Sequence, residues 1–119
     1  MKGVFLDYPD IDEHGFPNTG DLFRGMRGFY TTLEPTPSGA RVPMPRLISR
    51  RCIRYLVDGY VVPWGRVPRY THQLSAMEIY LHPDSVPPEV MRSMVRFSRG
   101  VDVRHCDAIV FWTVYAPHK

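Results

Sequence analysis

Cysteine and lysine are scarce in this sequence, and a long apolar run is missing altogether. Cys52 and Cys106 are the only cysteines among 119 residues. Two thiols do not make the disulfide framework of a small secreted scaffold, and they cannot close a four-cysteine zinc site. An intracellular, reducing compartment is the expectation that follows. The longest apolar stretch runs from Ala108 to Ala116, with Thr113 its sole polar residue. That is far short of the roughly 20 residues of a membrane-spanning helix. A secretory leader is not expected either, because Lys2 is followed by Val4-Phe5-Leu6 and then by Asp7, too brief an apolar core.

Nucleotide motifs are absent too. Gly20, Gly25 and Gly28 lie close together, but no Lys-Ser/Thr pair follows them and their spacing is not the dinucleotide fingerprint. His105-Cys106-Asp107 is the densest polar cluster. On a strand its neighbours point to opposite faces, so His105 cannot activate Cys106. His105 and Asp107 share a face, but a metal site needs further ligands from His72 or His82. The expectation is no enzyme, no cofactor and no metal; a small hydrolase or metal enzyme built on these residues is the weakest reading.

What is present is arginine. The formal charge of +3 hides an asymmetry: residues 1–21 carry a net −4, whereas residues 22–119 carry 14 basic and 7 acidic side chains. Of the 15 basic residues only Lys2 and Lys119 are lysines. Guanidinium forks suit fixed, two-pronged contacts to carboxylates and phosphates. Base composition of the coding sequence explains the same bias without any binding role.

Residues 1–45 hold 6 of the 12 prolines and 6 of the 9 glycines. The same segment displays Phe5, Tyr8, Phe16, Phe23, Phe29 and Tyr30, which is not the composition of a free linker. It reads as an extended N-terminal arm with short strands near 3–7 and 28–34, whose six rings pack either on the rest of the chain or, in the preferred reading, on a partner. Such an arm, in the isolated chain, would be open to proteases.

Residues 46–119 read as a compact α+β core within a single domain whose first strand lies near 28–34. Over 46–57 a helical period places Ile48, Cys52, Tyr55 and Leu56 on one arc and Arg46, Arg50, Arg51 and Arg54 on the other. A strand remains open there, because Leu47, Ile53, Tyr55 and Val57 also share a period of two. Residues 60–67 suit an edge strand interrupted by Pro63, and 76–82 a half-buried strand. His82-Pro83-Asp84 reads as a Pro-Asp turn leading into a helix that ends at Gly100, with Arg92, Arg96 and Arg99 on its outer face. Residues 107–116 read as the most buried strand.

The order predicts a small ferredoxin-like β-α-β-β-α-β sandwich with a Pro/Gly-rich N-terminal extension. The functional expectation is a non-catalytic interaction protein, a small accessory or structural subunit that binds protein partners through the arm and the arginine-striped helices. The alternative is a nucleic-acid-binding module in which Arg46, Arg50, Arg51, Arg54, Arg92, Arg96 and Arg99 contact phosphates and strand aromatics stack on bases.

Overall fold

The computed structural model describes residues 3–13, 15, 17–36, 38–97 and 102–115. Alternating apolar residues, more than helical periods, organise it. Five strands form one sheet in the order β1-β6-β7-β4-β5: β1 Val4–Asp7, β4 Ile53–Val57, β5 Tyr60–Val62, β6 Leu74–Tyr80 and β7 Asp107–Thr113. The β4/β7 pair is parallel, while β1/β6, β6/β7 and β4/β5 are antiparallel. Strands β2 Phe29–Pro35 and β3 Arg41–Leu47 form a separate hairpin. The helices are α1 Tyr8–Glu13 and α2 Pro88–Phe97.

The large sheet is covered on one face by the hairpin layer and on part of the other by α2. On one side Tyr55, Met77, Ile79, Ile109 and Phe111 meet Phe23, Phe29 and Leu47 from the hairpin layer. On the other, Leu56, Tyr80, Ala108 and Val110 pack with Met94 of α2 and Val103. A central strand clad on both sides must be apolar almost throughout, which is why β7 is the most buried element.

The ferredoxin-like sandwich predicted from sequence does not form: among the described residues, seven strands in two sheets are accompanied by only two α-helices, one of them a short one of six residues. The decisive difference lies at 46–57, where the predicted helix is replaced by the end of β3, a turn and β4. Arg50 sits at φ 66, in the left-handed region, and ends any helix there. Beyond it, Ile53, Tyr55 and Val57 face the hairpin-side core while Leu56 faces α2, so the period of two prevails. β-branched Ile53 and Val57 favour that extended state.

The aromatic segment at the N-terminus packs on its own chain. Thr19 N donates to Arg69 O at 2.9 Å and Thr71 N to Pro17 O at 2.9 Å, tying the segment to residues 69–71. Leu22 and Phe23, in the 3-10 turn Thr19–Phe23, are fully buried. β3 then runs through the boundary expected at residue 45. Its Pro43 and Pro45, two residues apart, leave Val42, Met44 and Arg46 to donate to the ladder with β2 and close the outer edge of β3 to another strand.

The two cysteines are joined. Cys52 and Cys106 form a disulfide that crosses from the residue before β4 to the residue before β7. Among the described residues, no helix is long and apolar enough to cross a membrane.

Candidate functional site

Where the hairpin layer meets the start of β4, the chain leaves a cleft of about 390 Å³. Tyr30 from β2, Met44 and Arg46 from β3, Arg50 and Arg51 from the turn, and Tyr55 from β4 line it. The local sequence builds this wall simply. In β2 and β3 the inward positions Phe29 and Leu47 are buried, so their ladder neighbours Tyr30 and Arg46, which pair with each other, point outward. Arg50 follows at the apex of the turn, its N–H bonded to Leu47 O at 3.0 Å.

The three guanidinium groups differ in state. Arg51 grips Asp107 with two parallel bonds, Nε to Oδ1 at 2.8 Å and Nη2 to Oδ2 at 3.1 Å. The Asp107 hydrogen bond raises the Arg51 pKa further above its ordinary value, so the group stays charged. Arg46 is held more loosely, with Nη2 3.5 Å from Glu34 Oε1 and Nε 3.4 Å from Thr32 Oγ1. Arg50 makes no ion pair among the described residues. It is an exposed cation on a backbone conformation that costs an ordinary residue about 1 kcal/mol or more. Such strain concentrates at functional positions.

Tyr30 is 48% exposed at the rim. Tyr55 forms the floor, its ring 5.1 Å from that of Trp64 and its hydroxyl 3.5 Å from Pro45 O. Burial pushes the Tyr55 phenol up to about 12, partly offset by the nearby Arg46 charge, so it is a neutral donor throughout the physiological range. The assembly is a cationic cleft with an aromatic wall. It offers charged donors and a stacking face, and the Cys52 sulfur in its lining is held in the disulfide.

Of the arginines expected to act together, the structure gathers Arg46, Arg50 and Arg51. Arg54 alternates with Tyr55 along β4 and belongs to the α2 side of the sheet. Arg92 and Arg96 lie on the outer surface of α2, over that same opposite face, so the two arginine stripes do not form one basic surface. Arg99 and Phe16 lie outside the described residues.

The aromatic set divides as well. Phe23 and Phe29 are core residues with ring centroids 5.0 Å apart, unavailable to any partner, whereas Phe5, Tyr8 and Tyr30 are exposed. The histidine and acid set is dispersed. His72 stacks on Tyr70, His82 Nδ1 accepts from Asp84 N, and Asp107 is taken by Arg51. His105 stands beside Asp102, whose carboxyl the Arg104 hydrogen bonds hold below its usual range. Among the described residues no three His, Cys, Asp or Glu side chains converge as a metal site would need.

One feature of the cleft was not legible in sequence. Asp107 as the partner of Arg51 lies 56 residues away, and the only hint is that each of these opposite charges adjoins a cysteine. Neither a comparison with protein-family models nor one with curated proteins finds a match for this chain.

Proposed function

We propose that this chain is a non-catalytic binding protein whose cleft holds a phosphate-bearing strand of nucleic acid. The observation that carries it is the convergence of Arg46, Arg50 and Arg51 beside the exposed ring of Tyr30. Arginine forks position phosphates, and an exposed ring stacks on a base at roughly 1–3 kcal/mol per contact. Arg50 contributes most, because its charge is uncommitted and its backbone is held in a costly conformation. The disulfide favours an oxidising compartment over the reducing interior expected from two lone thiols.

Fluorescence anisotropy with an unspecific labelled single strand and duplex, at two salt concentrations, tests this. Three phosphate contacts on a single strand predict a log–log salt slope of about −2, or roughly a twentyfold loss of affinity from 50 to 200 mM salt. Arg50→Gly is the informative variant. Glycine is at ease at φ 66, so the fold is kept or slightly stabilised while the cation is lost. Tyr30→Ala should weaken the single strand more than the duplex. Absence of binding at 50 mM salt, or binding that Arg46→Gln and Arg50→Gly leave unchanged, would overturn the proposal.

A further inference from the structure

The α2 side of the five-stranded sheet is covered only in part. Helix α2 lies over β4, β5 and β7 and reaches Tyr80 at the end of β6. The other half, made by β1, the start of β6 and the end of β7, has no described element above it. There Phe5, Asp7, Ala76, Glu78 and Trp112 share the sheet face, since Phe5 pairs with Glu78, Asp7 with Ala76 and Ala76 with Trp112. With Asp10 from α1 they line a groove of about 330 Å³. Its floor is aromatic, Phe5 being 61% exposed, and its charge is acidic. Glu78 is pinned in the floor by bonds from the Tyr80 hydroxyl and the Trp112 indole N–H.

The outer surface of α2 is the complement of this groove. It presents Arg92 and Arg96, flanked by Val95, which is 55% exposed, and by Phe97. The lengths agree: ten helical residues span about 15 Å and four strand residues about 13 Å. We infer that the occupant of the open half-face is α2 of a second copy of this chain. A two-fold axis lying between two such sheets, along the line where the cover of α2 ends, sets each helix on the other chain's open half. Arg92 and Arg96 then meet Asp7 and Asp10, and Val95 meets Phe5. The interface is isologous, and it leaves the Arg46–Arg50–Arg51 cleft free on the opposite face of each subunit.

Sedimentation equilibrium over concentrations up to about 200 µM reads the association directly. The expected species is a dimer of twice the 13.8 kDa chain mass. Arg92→Glu/Arg96→Glu should raise the dissociation constant about tenfold or more, by placing like charges opposite one another. Asp7→Lys/Asp10→Lys should do the same. A mixture of the two double variants should dimerise again, because both halves of the heterodimer regain opposite charges. Phe5→Glu, at an exposed site, is the independent variant should the Asp7/Asp10 pair fail to fold, and it should also yield monomer. A wild-type chain that stays monomeric throughout overturns the inference. So does a dimer indifferent to Arg92→Glu/Arg96→Glu or to Phe5→Glu, and so does a mixture of folded double variants that remains monomeric.

Discussion

Arg51 and Asp107 form a two-pronged ion pair directly beside the disulfide, each adjoining one of its cysteines in sequence. The carboxylate is 1% exposed and the guanidinium about a third exposed. The pair therefore joins a buried acid of the central strand to the wall of the cleft. Removing one partner of a fully buried pair costs about 3–5 kcal/mol. Here Arg51 can turn to solvent, so Asp107→Asn should cost less, about 1–3 kcal/mol in urea unfolding. The same substitution frees one cation at the proposed nucleic-acid site. Binding should tighten, because Arg51, already one of the three phosphate contacts, no longer shares its charge with Asp107. Destabilisation accompanied by weaker binding would show that Arg51 must be fixed by Asp107 to work.

The disulfide closes a chain separation of 54 residues between strand ends that are already in contact through Asp107 N and Cys52 O at 2.9 Å. Its contribution therefore lies mainly in the unfolded chain. Loop-closure entropy puts this near 4 kcal/mol, with about 2–4 usually realised. Reduction, or Cys52→Ser/Cys106→Ser, should lower Tm by on the order of 10–20 °C. Thiol titration of protein unfolded without reductant should find no free thiol. Two free thiols and a Tm indifferent to reductant would return the chain to the reducing compartment expected from sequence.

Tyr55 makes stability fall in alkali. Burial chiefly pushes its phenol up to about 12 in the folded chain, against an ordinary tyrosine's 10.0. Between these values the unfolded chain has released the proton and the folded chain still holds it. The stabilising contribution is complete below pH 10 and is lost as pH rises toward 12. The pKa of Tyr80 is raised as well, by burial and then by its bond to Glu78, and it acts in the same direction. Tyr55→Phe should change stability at pH 7 by under about 1 kcal/mol, since its hydroxyl bond is long at 3.5 Å. Above pH 10 the variant should lose about 2–3 kcal/mol less than the parent. Equal alkaline losses in both proteins would place the sensitive group elsewhere.

Elements whose pattern admits one solution were legible from sequence. Helix α2, opened by Pro87-Pro88 and bearing Arg92 and Arg96 opposite Met94, forms where its period predicts, and β6 and β7 form where alternation and apolar density predict. Residues 46–57 satisfied two periods at once, and a distant event chose between them: parallel pairing with β7, which becomes available only after the chain has returned from α2. The cleft was half legible. Its arginines were visible as a cluster, but their common direction depends on the Arg50 turn and on the Tyr30/Arg46 ladder pair. The disulfide was hidden for the same reason, since only the β4/β7 pairing brings Cys52 to Cys106.

Gly20 offers the sharpest test of whether the N-terminal aromatic segment belongs to this core. A Cβ built on it would lie 2.0 Å from Pro43 O and 2.6 Å from Pro43 C, both backbone atoms of β3 that no rotamer change can move. The 3-10 turn and the hairpin therefore touch backbone to backbone, with Leu22 and Phe23 buried by that contact. Gly20→Ala must push the two apart and should cost about 3 kcal/mol or more. Gly65→Ala, where a Cβ meets nothing within 4 Å, should stay within about 0.5 kcal/mol of the parent. Limited proteolysis completes the comparison. The parent should resist cleavage across residues 18–35, and Gly20→Ala should become sensitive there first, under conditions that leave β7 intact. An alanine tolerated at 20, together with early cutting of the parent in that stretch, would restore the free arm expected from composition and leave Phe23 and Phe29 to a partner.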